Sequence, residues 1–215
     1  MLNALKILCG VSWKVEGIDN LPNTPCIIVS NHQGQWESFF LQTLVIPSSS
    51  IIKKGLLYIP FFGWALACLK PIHLRRKRKY VSMKKVIKDG SKKLKKGTSI
   101  IIFPEGTTNN GKRVLKFRAS LFKIFEDDPT LGLQNFSLCY THINSMPLDN
   151  RMRPNIAWYG EMNLITHLKR LLNYSSIGAK LQFHPSIVPH GVTRKIISEE
   201  SREQVIKGIN SLSNN

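Results

Sequence analysis

Strand-length apolar runs alternate with helix-length segments along most of the chain, and this alternation limits the fold more than any other feature. The clearest runs are Cys26 to Val29 and Thr98 to Phe103. Neither run has the alternation of a half-exposed strand, so both predict strands buried on both faces. The 215 residues contain no internal repeat and suit one domain with a sizeable core. We therefore predict a single α/β domain with helices packed around a mostly buried sheet.

The same patterns predict the remaining elements. Pro60 and Gly63 prevent the apolar stretch 55–69 from forming one straight helix. Ser198 is a suitable N-cap for a last helix, because the acid Glu199 would follow it in the first turn. Helices are predicted at 37–45, 77–96, 119–125 and 162–172, and further strands at 51–52, 71–74, 136–140, 155–159 and 180–183.

The chain is strongly basic, with 31 Lys and Arg against 13 Asp and Glu and a formal charge of +18. Such a balance indicates an anionic partner: a membrane surface, nucleic acid or a phosphorylated ligand. Thirteen of the cations lie between Lys70 and Lys96, with Asp89 as the one acid among them. Arg75 and Arg76 follow a short apolar run, so we expect one of them to point into a cleft and bind phosphate.

Other compositional features limit the compartment and the cofactors. The four cysteines are scattered, without a Cys-x-x-Cys pair or a zinc-site spacing. They are interpreted as free, mostly buried thiols in a reducing compartment, and no metal is expected. No apolar run reaches the ~18–20 residues of a membrane span. Residues 1–14 are interpreted as an apolar segment that lies on a membrane, and residues 15–215 as the folded domain; core packing of the segment is the alternative.

A histidine and an acid follow the first buried strand. His32 stands directly after the strand, and Glu37 comes five residues later. In a regular helix this offset separates two side chains by about 140°, so the pair can meet only if the chain turns between them. Gly34 makes such a turn feasible. An imidazole held by a carboxylate can remove a proton from a hydroxyl near neutral pH, although a histidine before an acid is, by itself, more often structural.

A second block follows the strongest strand. Phe103-Pro104-Glu105-Gly106-Thr107-Thr108 begins where that strand ends. Pro104 stops the hydrogen-bonded ladder, and Gly106 allows a tight turn or a close approach to a ligand. Hydroxyls and backbone N–H groups here could hold an oxyanion or a phosphate. An ordinary turn with a charged tip is the alternative.

Taken together, these blocks resemble the lysophosphatidic acid acyltransferase family, also called 1-acylglycerol-3-phosphate acyltransferases. Asn31-His32 with the acid at Glu37 resembles the family's His-x4-Asp motif. Residues 53–75, the block 103–107 and residues 137–141 resemble its second, third and fourth motifs. Glu37 stands where the family usually has Asp, and Thr108 stands where it often has Arg. The likeness covers nearly the whole chain from residue 15.

The resemblance implies transfer of a fatty acyl group from acyl-CoA or acyl carrier protein to the free hydroxyl of 1-acylglycerol-3-phosphate, giving phosphatidic acid. His32 would be the general base and Glu37 the residue that orients it. Arg75 would bind the acceptor phosphate, and the three residues that share its pocket would be Glu105, Gly106 and Thr107. No cofactor is implied beyond the acyl donor. The enzyme would act at the cytoplasmic face of an anionic membrane, without a confident membrane-spanning helix.

The sequence leaves alternative acceptors and alternative functions open. The acceptor could be a lyso-ornithine lipid or another lysophospholipid. The charge alone also allows a nucleic-acid-binding protein, but no nucleic-acid motif is present and aromatic residues are almost absent from the basic segment. A lipid-binding relative without activity is a third possibility. If the site follows the family's geometry, Glu37→Asp is expected to retain or raise activity.

Overall fold

In the computed structural model, the described residues are 10–34, 36–45, 47–60, 62–74 and 79–214. The strands are β1 (Val11–Glu16), β2 (Cys26–Ser30), β3 (Ser48–Lys53), β4 (Ile72–Leu74), β5 (Ser99–Ile102), β6 (Gly132–Ile143), β7 (Met146–Pro147) and β8 (Ile177–Phe183). The α-helices are α1 (Trp36–Leu44), α2 (Phe62–Cys68), α3 (Lys79–Lys95), α4 (Lys123–Asp127), α5 (Arg153–Ile156), α6 (Leu164–Leu171) and α7 (Arg194–Asn214). Short 3-10 helices cover Ile18–Asn20, Lys54–Tyr58 and Ala119–Leu121.

The strands form one mixed sheet in the order β1-β8-β6-β2-β5-β3-β4, with β7 added to the end of β6. Strands β6, β2, β5, β3 and β4 are parallel, whereas β8 runs antiparallel to β6 and parallel to β1. Parallel neighbours need crossovers, and helices supply several of them. The centre of the sheet is therefore β2, paired with β6 on one side and β5 on the other.

The two faces of the sheet carry separate apolar clusters. Ile28 and Ile101 point into one cluster, together with Phe40 of α1. Ile27 and Ile100 point into the other, with Val86 of α3 and other side chains of α4 and α7. Consecutive strand residues face opposite sides, so a strand covered on both faces must be apolar at every position. This confirms the α/β prediction made from the uninterrupted runs at β2 and β5.

Most predicted elements are present, with boundaries shifted by a few residues, and two predictions are wrong. The strand predicted at 155–159 is absent, because Pro154 lies in the first turn of α5 and favours a helical turn there. Ser198 does not cap the last helix, which already begins at Arg194. The Ser198 hydroxyl instead donates to the Lys195 carbonyl inside that helix.

The beginning of the chain is only partly described. Residues 1–9 lie outside the described ranges, and β1 pairs along its length with β8. The boundary expected between residues 14 and 15 therefore falls within a strand of the sheet. Among the helices that the structure describes, none is both long enough and apolar enough to cross a bilayer.

Gly208 lies where α7 packs closely on β6. A Cβ added to this glycine would lie 2.5 Å from Cε1 of His184 and would also collide with the Ser137 hydroxyl. Replacing a helical glycine by alanine normally gains about 1 kcal/mol, but overpacking costs about 1–3 kcal/mol. We expect Gly208→Ala to lower the free energy of unfolding by about 1 kcal/mol, measured by urea denaturation.

Gly55→Ala is the matched control, because a Cβ there has no neighbour within 4 Å. Its free energy of unfolding should stay within about 0.5 kcal/mol of the native value. Equal stability of the two variants would contradict the close packing of α7 on β6.

Candidate active site

The loop between β2 and α1 is fastened to the neighbouring strand β6. The Asn31 side chain donates to the Leu138 carbonyl at 3.0 Å and accepts from the Leu138 N–H at 2.9 Å. The Gln33 side chain donates to the same carbonyl at 3.0 Å. Both polar side chains are buried, and their hydrogen bonds offset the cost of removing them from water. The loop between them, which carries His32, therefore has a fixed position.

His32 and Glu37 meet across this loop, as the sequence predicts. Nδ1 of His32 lies 2.9 Å from Oε2 of Glu37. The histidine side chain is 23% exposed, and the glutamate side chain is completely buried. The His32 ring stacks on the Phe103 ring, with the two ring centroids 4.3 Å apart. Because an ionised carboxylate can only accept, Nδ1 carries the proton and Nε2 is left with a lone pair.

Two further donors fix the Glu37 carboxylate. Oε1 accepts from the Gln33 N–H at 3.2 Å and from the Tyr140 hydroxyl at 3.2 Å. Burial, together with the adjacent carboxylate, holds the pKa of Tyr140 well above its usual range, so the hydroxyl remains a donor. Glu37 also lies in the first turn of α1, where the helix dipole favours a negative charge. These contacts offset the hydration that the buried carboxylate loses.

Glu105 braces the other side of the histidine loop. Its Oε1 accepts from the His32 N–H at 2.8 Å, and its Oε2 accepts from the Asn109 amide at 2.5 Å and the Leu115 N–H at 2.9 Å. Burial raises the pKa of Glu105, although these hydrogen bonds oppose that shift. Since both oxygens are used inside the protein, Glu105 shapes the site by holding the loops together.

Gly106 has φ of 70°, a left-handed conformation that favours glycine. A Cβ at this position would lie 2.5 Å from Nε of Arg118, so a side chain here would displace the guanidinium. Thr107 is exposed, next to the turn. Arg75 and its neighbours 76–78 lie outside the described residues, so the predicted phosphate contact of Arg75 stays a prediction.

A large basic cleft opens beside Gly106, with a volume of about 1080 Å³. Eight of its sixteen lining residues are Lys or Arg, and the one acid is Asp127. Leu74, Met83 and Ile87 supply an apolar part of the wall. We call this space the basic cleft. It combines charge for an anion with apolar surface, as expected for a phosphorylated ligand with an organic portion.

Several residues of the site were missed in the sequence. Tyr140 falls in the predicted fourth block, but nothing in its spacing indicates a hydrogen bond to Glu37. Arg118 follows the third block by many residues and gives no local pattern. Arg153 is a third case: its Nε and Nη1 are buried without a hydrogen-bond partner among the described residues. Nη1 of Arg153 lies 3.0 Å from where a Cβ of Gly111 would be, beside the Gln33 side chain.

The comparisons with known proteins agree with this arrangement. A family model described as Acyltransferase matches residues 12–131, which is more than half of the chain. The chain is 47% identical over 102 residues to a 1-acyl-sn-glycerol-3-phosphate acyltransferase of Pseudomonas aeruginosa, covering 47% of this chain and 40% of the relative. It is 27% identical over 188 residues to a lyso-ornithine lipid O-acyltransferase of Brucella abortus, covering 84% and 70%.

The fold agrees with a solved structure. The crystal structure of the 1-acyl-sn-glycerophosphate acyltransferase PlsC from Thermotoga maritima superimposes with a TM-score of 0.71, covering 98% of this chain and 76% of that one. At 22% identity, this likeness establishes the fold. The family model covers more than half of the chain, and the chain therefore belongs to the acyltransferase family.

The geometry also changes the expectation for Glu37→Asp. The longer carboxylate already reaches three donors, and shortening the side chain would withdraw it by about 1 Å. Such a misplacement of a catalytic partner typically costs up to about a hundredfold in rate. We expect Glu37→Asp to lower kcat about tenfold to a hundredfold, measured by acyl transfer with saturating substrates.

Glu203→Asp, the same change at an exposed position of α7, is the control and should leave kcat unchanged. Activity of Glu37→Asp at or above the native level would instead support the family geometry and contradict the arrangement described above.

Proposed function

We propose that the protein transfers a fatty acyl group from a thioester donor to the free hydroxyl of 1-acylglycerol-3-phosphate, giving phosphatidic acid for phospholipid synthesis. The observation that carries the proposal is the paired His32 and Glu37, with the histidine ring partly exposed and the carboxylate buried. Membership of the acyltransferase family supports it. The name of the Pseudomonas relative also supports it, and the match covers less than half of that relative's length.

The proposed reaction uses the lone pair on Nε2 of His32. This nitrogen removes the proton from the acceptor hydroxyl as the oxygen attacks the thioester carbon. The carbon–sulfur bond then breaks, and the imidazolium returns the proton to the leaving thiolate. Glu37 stabilises the imidazolium and keeps the ring oriented. No enzyme nucleophile is required, because a thioester is already activated for attack.

A lyso-ornithine lipid is the second candidate acceptor. The match to the Brucella lyso-ornithine lipid O-acyltransferase extends over 84% of this chain, whereas the more similar Pseudomonas relative aligns over 47%. The two acceptors share a fatty chain and a free hydroxyl but differ in their polar group. Parallel assays with both acceptors therefore decide between them.

The test of the proposed function is acyl transfer from oleoyl-CoA to lysophosphatidate, followed through thiol release and product. Removing a general base typically costs about 10²–10⁴-fold in rate, and we expect His32→Ala to lose activity in that range. His190→Ala, at an exposed histidine, is the control and should retain native activity. Full activity in a folded His32→Ala variant would refute the mechanism.

Two other outcomes would favour the alternatives to an acyltransferase. Salt-sensitive binding to DNA or RNA, with no transfer from any donor, would indicate a nucleic-acid-binding protein. Binding of lysophosphatidate by both the native chain and His32→Ala, again without transfer, would indicate a lipid-binding relative.

We further propose that the protein binds an anionic membrane at its cytoplasmic face. The stretch between β3 and β4 exposes large aromatic side chains: Tyr58 is 73% exposed and Trp64 is 64% exposed. Aromatic residues at such a surface suit the headgroup region of a bilayer, and nearby cations suit anionic lipid. Cys26, Cys68 and Cys139 are free, which supports a reducing compartment such as the cytoplasm.

Flotation with anionic liposomes tests this surface. We expect the double variant Tyr58→Ser/Trp64→Ser to bind about tenfold more weakly, because two apolar side chains no longer enter the bilayer. Leu172→Ser removes a side chain that is 70% exposed at the end of α6 and serves as the control. Binding of the native chain should also weaken at high salt. Absence of the native chain from the lipid layer at both low and high salt would contradict the proposal.

A further inference from the structure

We propose that Arg202 of α7 is a positioning residue for His32, and that it acts through the loop of residues 103–118. The inference rests on the proposed acyl transfer for its consequence in the reaction. The family model matches residues 12–131, so Arg202 lies outside the matched range. The names of the relatives assign it no role.

The loop of residues 103–118 is long and irregular. It connects β5 to the 3-10 helix at Ala119–Leu121, and none of its residues, all of which the structure describes, belongs to a helix or a strand. Loops longer than about 12–15 residues without secondary structure are uncommon in compact domains and are usually functional when they occur. Its buried backbone groups have no regular ladder to join, so other parts of the protein must supply their partners.

This loop holds both backbone polar groups of His32. The His32 N–H donates to Oε1 of Glu105 at 2.8 Å, and the His32 carbonyl accepts from the Asn109 N–H at 3.0 Å. The Asn109 side chain and the Leu115 N–H in turn donate to Oε2 of Glu105. The position of the His32 backbone therefore depends on where the loop places Glu105 and Asn109.

The guanidinium of Arg202 binds two adjacent carbonyls of the loop. Nη2 donates to the Val114 carbonyl at 2.7 Å, and Nε donates to the Leu115 carbonyl at 2.9 Å. A planar guanidinium presents its N–H groups in a fixed fork, so the two bonds set the orientation of the loop backbone as well as its position. Arg202 forms no ion pair with an acid in the described part of the chain, so its charge is directed at the loop.

One peptide group connects Arg202 to Glu105. The Val114 carbonyl and the Leu115 N–H belong to the same peptide group: the carbonyl accepts from Arg202, and the N–H donates to Glu105 at 2.9 Å. A cation at the oxygen and a carboxylate at the N–H polarise this peptide in the same direction, which strengthens both hydrogen bonds. Burial raises the pKa of Glu105, so a stronger donor helps to keep its charged form as the acceptor.

Other contacts already hold α7 on the sheet. Ile197 and Val205 of this helix are buried in the apolar cluster that also contains Val114. The Val205 carbonyl accepts from the Ser137 hydroxyl of β6 at 3.0 Å. Apolar packing brings the helix and the loop together, but it has no directional preference. The orientation of the loop peptides is therefore left to the two hydrogen bonds of Arg202.

The kinetics of Arg202→Ala test the proposal. A misplaced catalytic group can cost about a hundredfold in rate, and we expect this variant to lower kcat about tenfold to a hundredfold. The KM for lysophosphatidate and the KM for oleoyl-CoA should stay within about threefold of their native values, because loss of a geometry that matters in the transition state lowers kcat.

Two variants of the same helix are the controls. Lys207→Ala removes an equal charge from an exposed position and should leave kcat unchanged. Gly208→Ala loosens the packing of α7 at Ser137 and His184, away from the loop, and should keep kcat near the native value in folded protein. Equal kcat losses in Arg202→Ala and Gly208→Ala would overturn the proposal. Native kcat in Arg202→Ala, or a change in KM alone, would overturn it too.

Chemical rescue separates the guanidinium from general stability. Arg202 is only half-buried, so a small cation can enter the space that Arg202→Ala leaves. Ethylguanidinium, at concentrations well below those that unfold the protein, should raise the kcat of Arg202→Ala severalfold and leave native kcat unchanged. Tetramethylammonium has the same charge but no N–H donor and should have no effect. An equal response to the two ions would contradict the role of the fork.

Hydrogen exchange gives a readout that needs no acyl transfer. In Arg202→Ala, the backbone amides of His32, Asn109 and Leu115 should exchange about tenfold faster than in the native chain, and Gly208→Ala should not show this selective change. If the native chain transfers no acyl group while these amides exchange faster in Arg202→Ala, the proposed function fails and the positioning role stands. If transfer proceeds while exchange and kcat are both native in Arg202→Ala, the positioning role fails and the proposed function stands.

Discussion

A carboxylate removed from water loses solvation worth several kcal/mol, and the loss must be offset by nearby donors. Glu37 meets this condition with the His32 ring, the Gln33 N–H and the Tyr140 hydroxyl. The imidazole and the Gln33 N–H come from the loop after β2, and the phenol comes from β6, 103 residues away in the sequence. The charge can be buried only when all of these parts are in place, so folding and the orientation of His32 are linked.

The order of the strands explains why these groups converge. β2 lies between β6 and β5, all three parallel. The chain leaving β2 carries His32, and the chain leaving β5 carries Glu105. Functional groups of open parallel sheets characteristically gather at these carboxyl ends. Two carboxylates thus hold the histidine from different directions: Glu37 contacts its ring, while Glu105 accepts its backbone N–H. The first fixes the tautomer and the orientation of the ring, and the second sets the position of the backbone.

The sequence was sufficient where a local pattern determines the structure. Continuous apolar runs identified β2 and β5, and the short loop with Gly34 allowed His32 and Glu37 to be paired. The sequence was insufficient where the structure depends on contacts between residues that are distant along the chain. Nothing adjacent to Tyr140 shows that its hydroxyl reaches Glu37, 103 residues away. The predicted strand at 155–159 failed similarly: the Trp158 N–H bonds to the Gln33 carbonyl at 2.9 Å, so the segment is fastened to the loop and not to the sheet.

The basic cleft and the exposed aromatic residues share one edge of the sheet. Lys53 at the end of β3 and Leu74 at the end of β4 both line the cleft. The stretch that exposes Tyr58 and Trp64 connects these two strands, so the proposed membrane surface and the basic cleft begin from the same edge. A protein that met anionic lipid at this edge would place the cations of the cleft near the headgroups, where the negative surface potential attracts them.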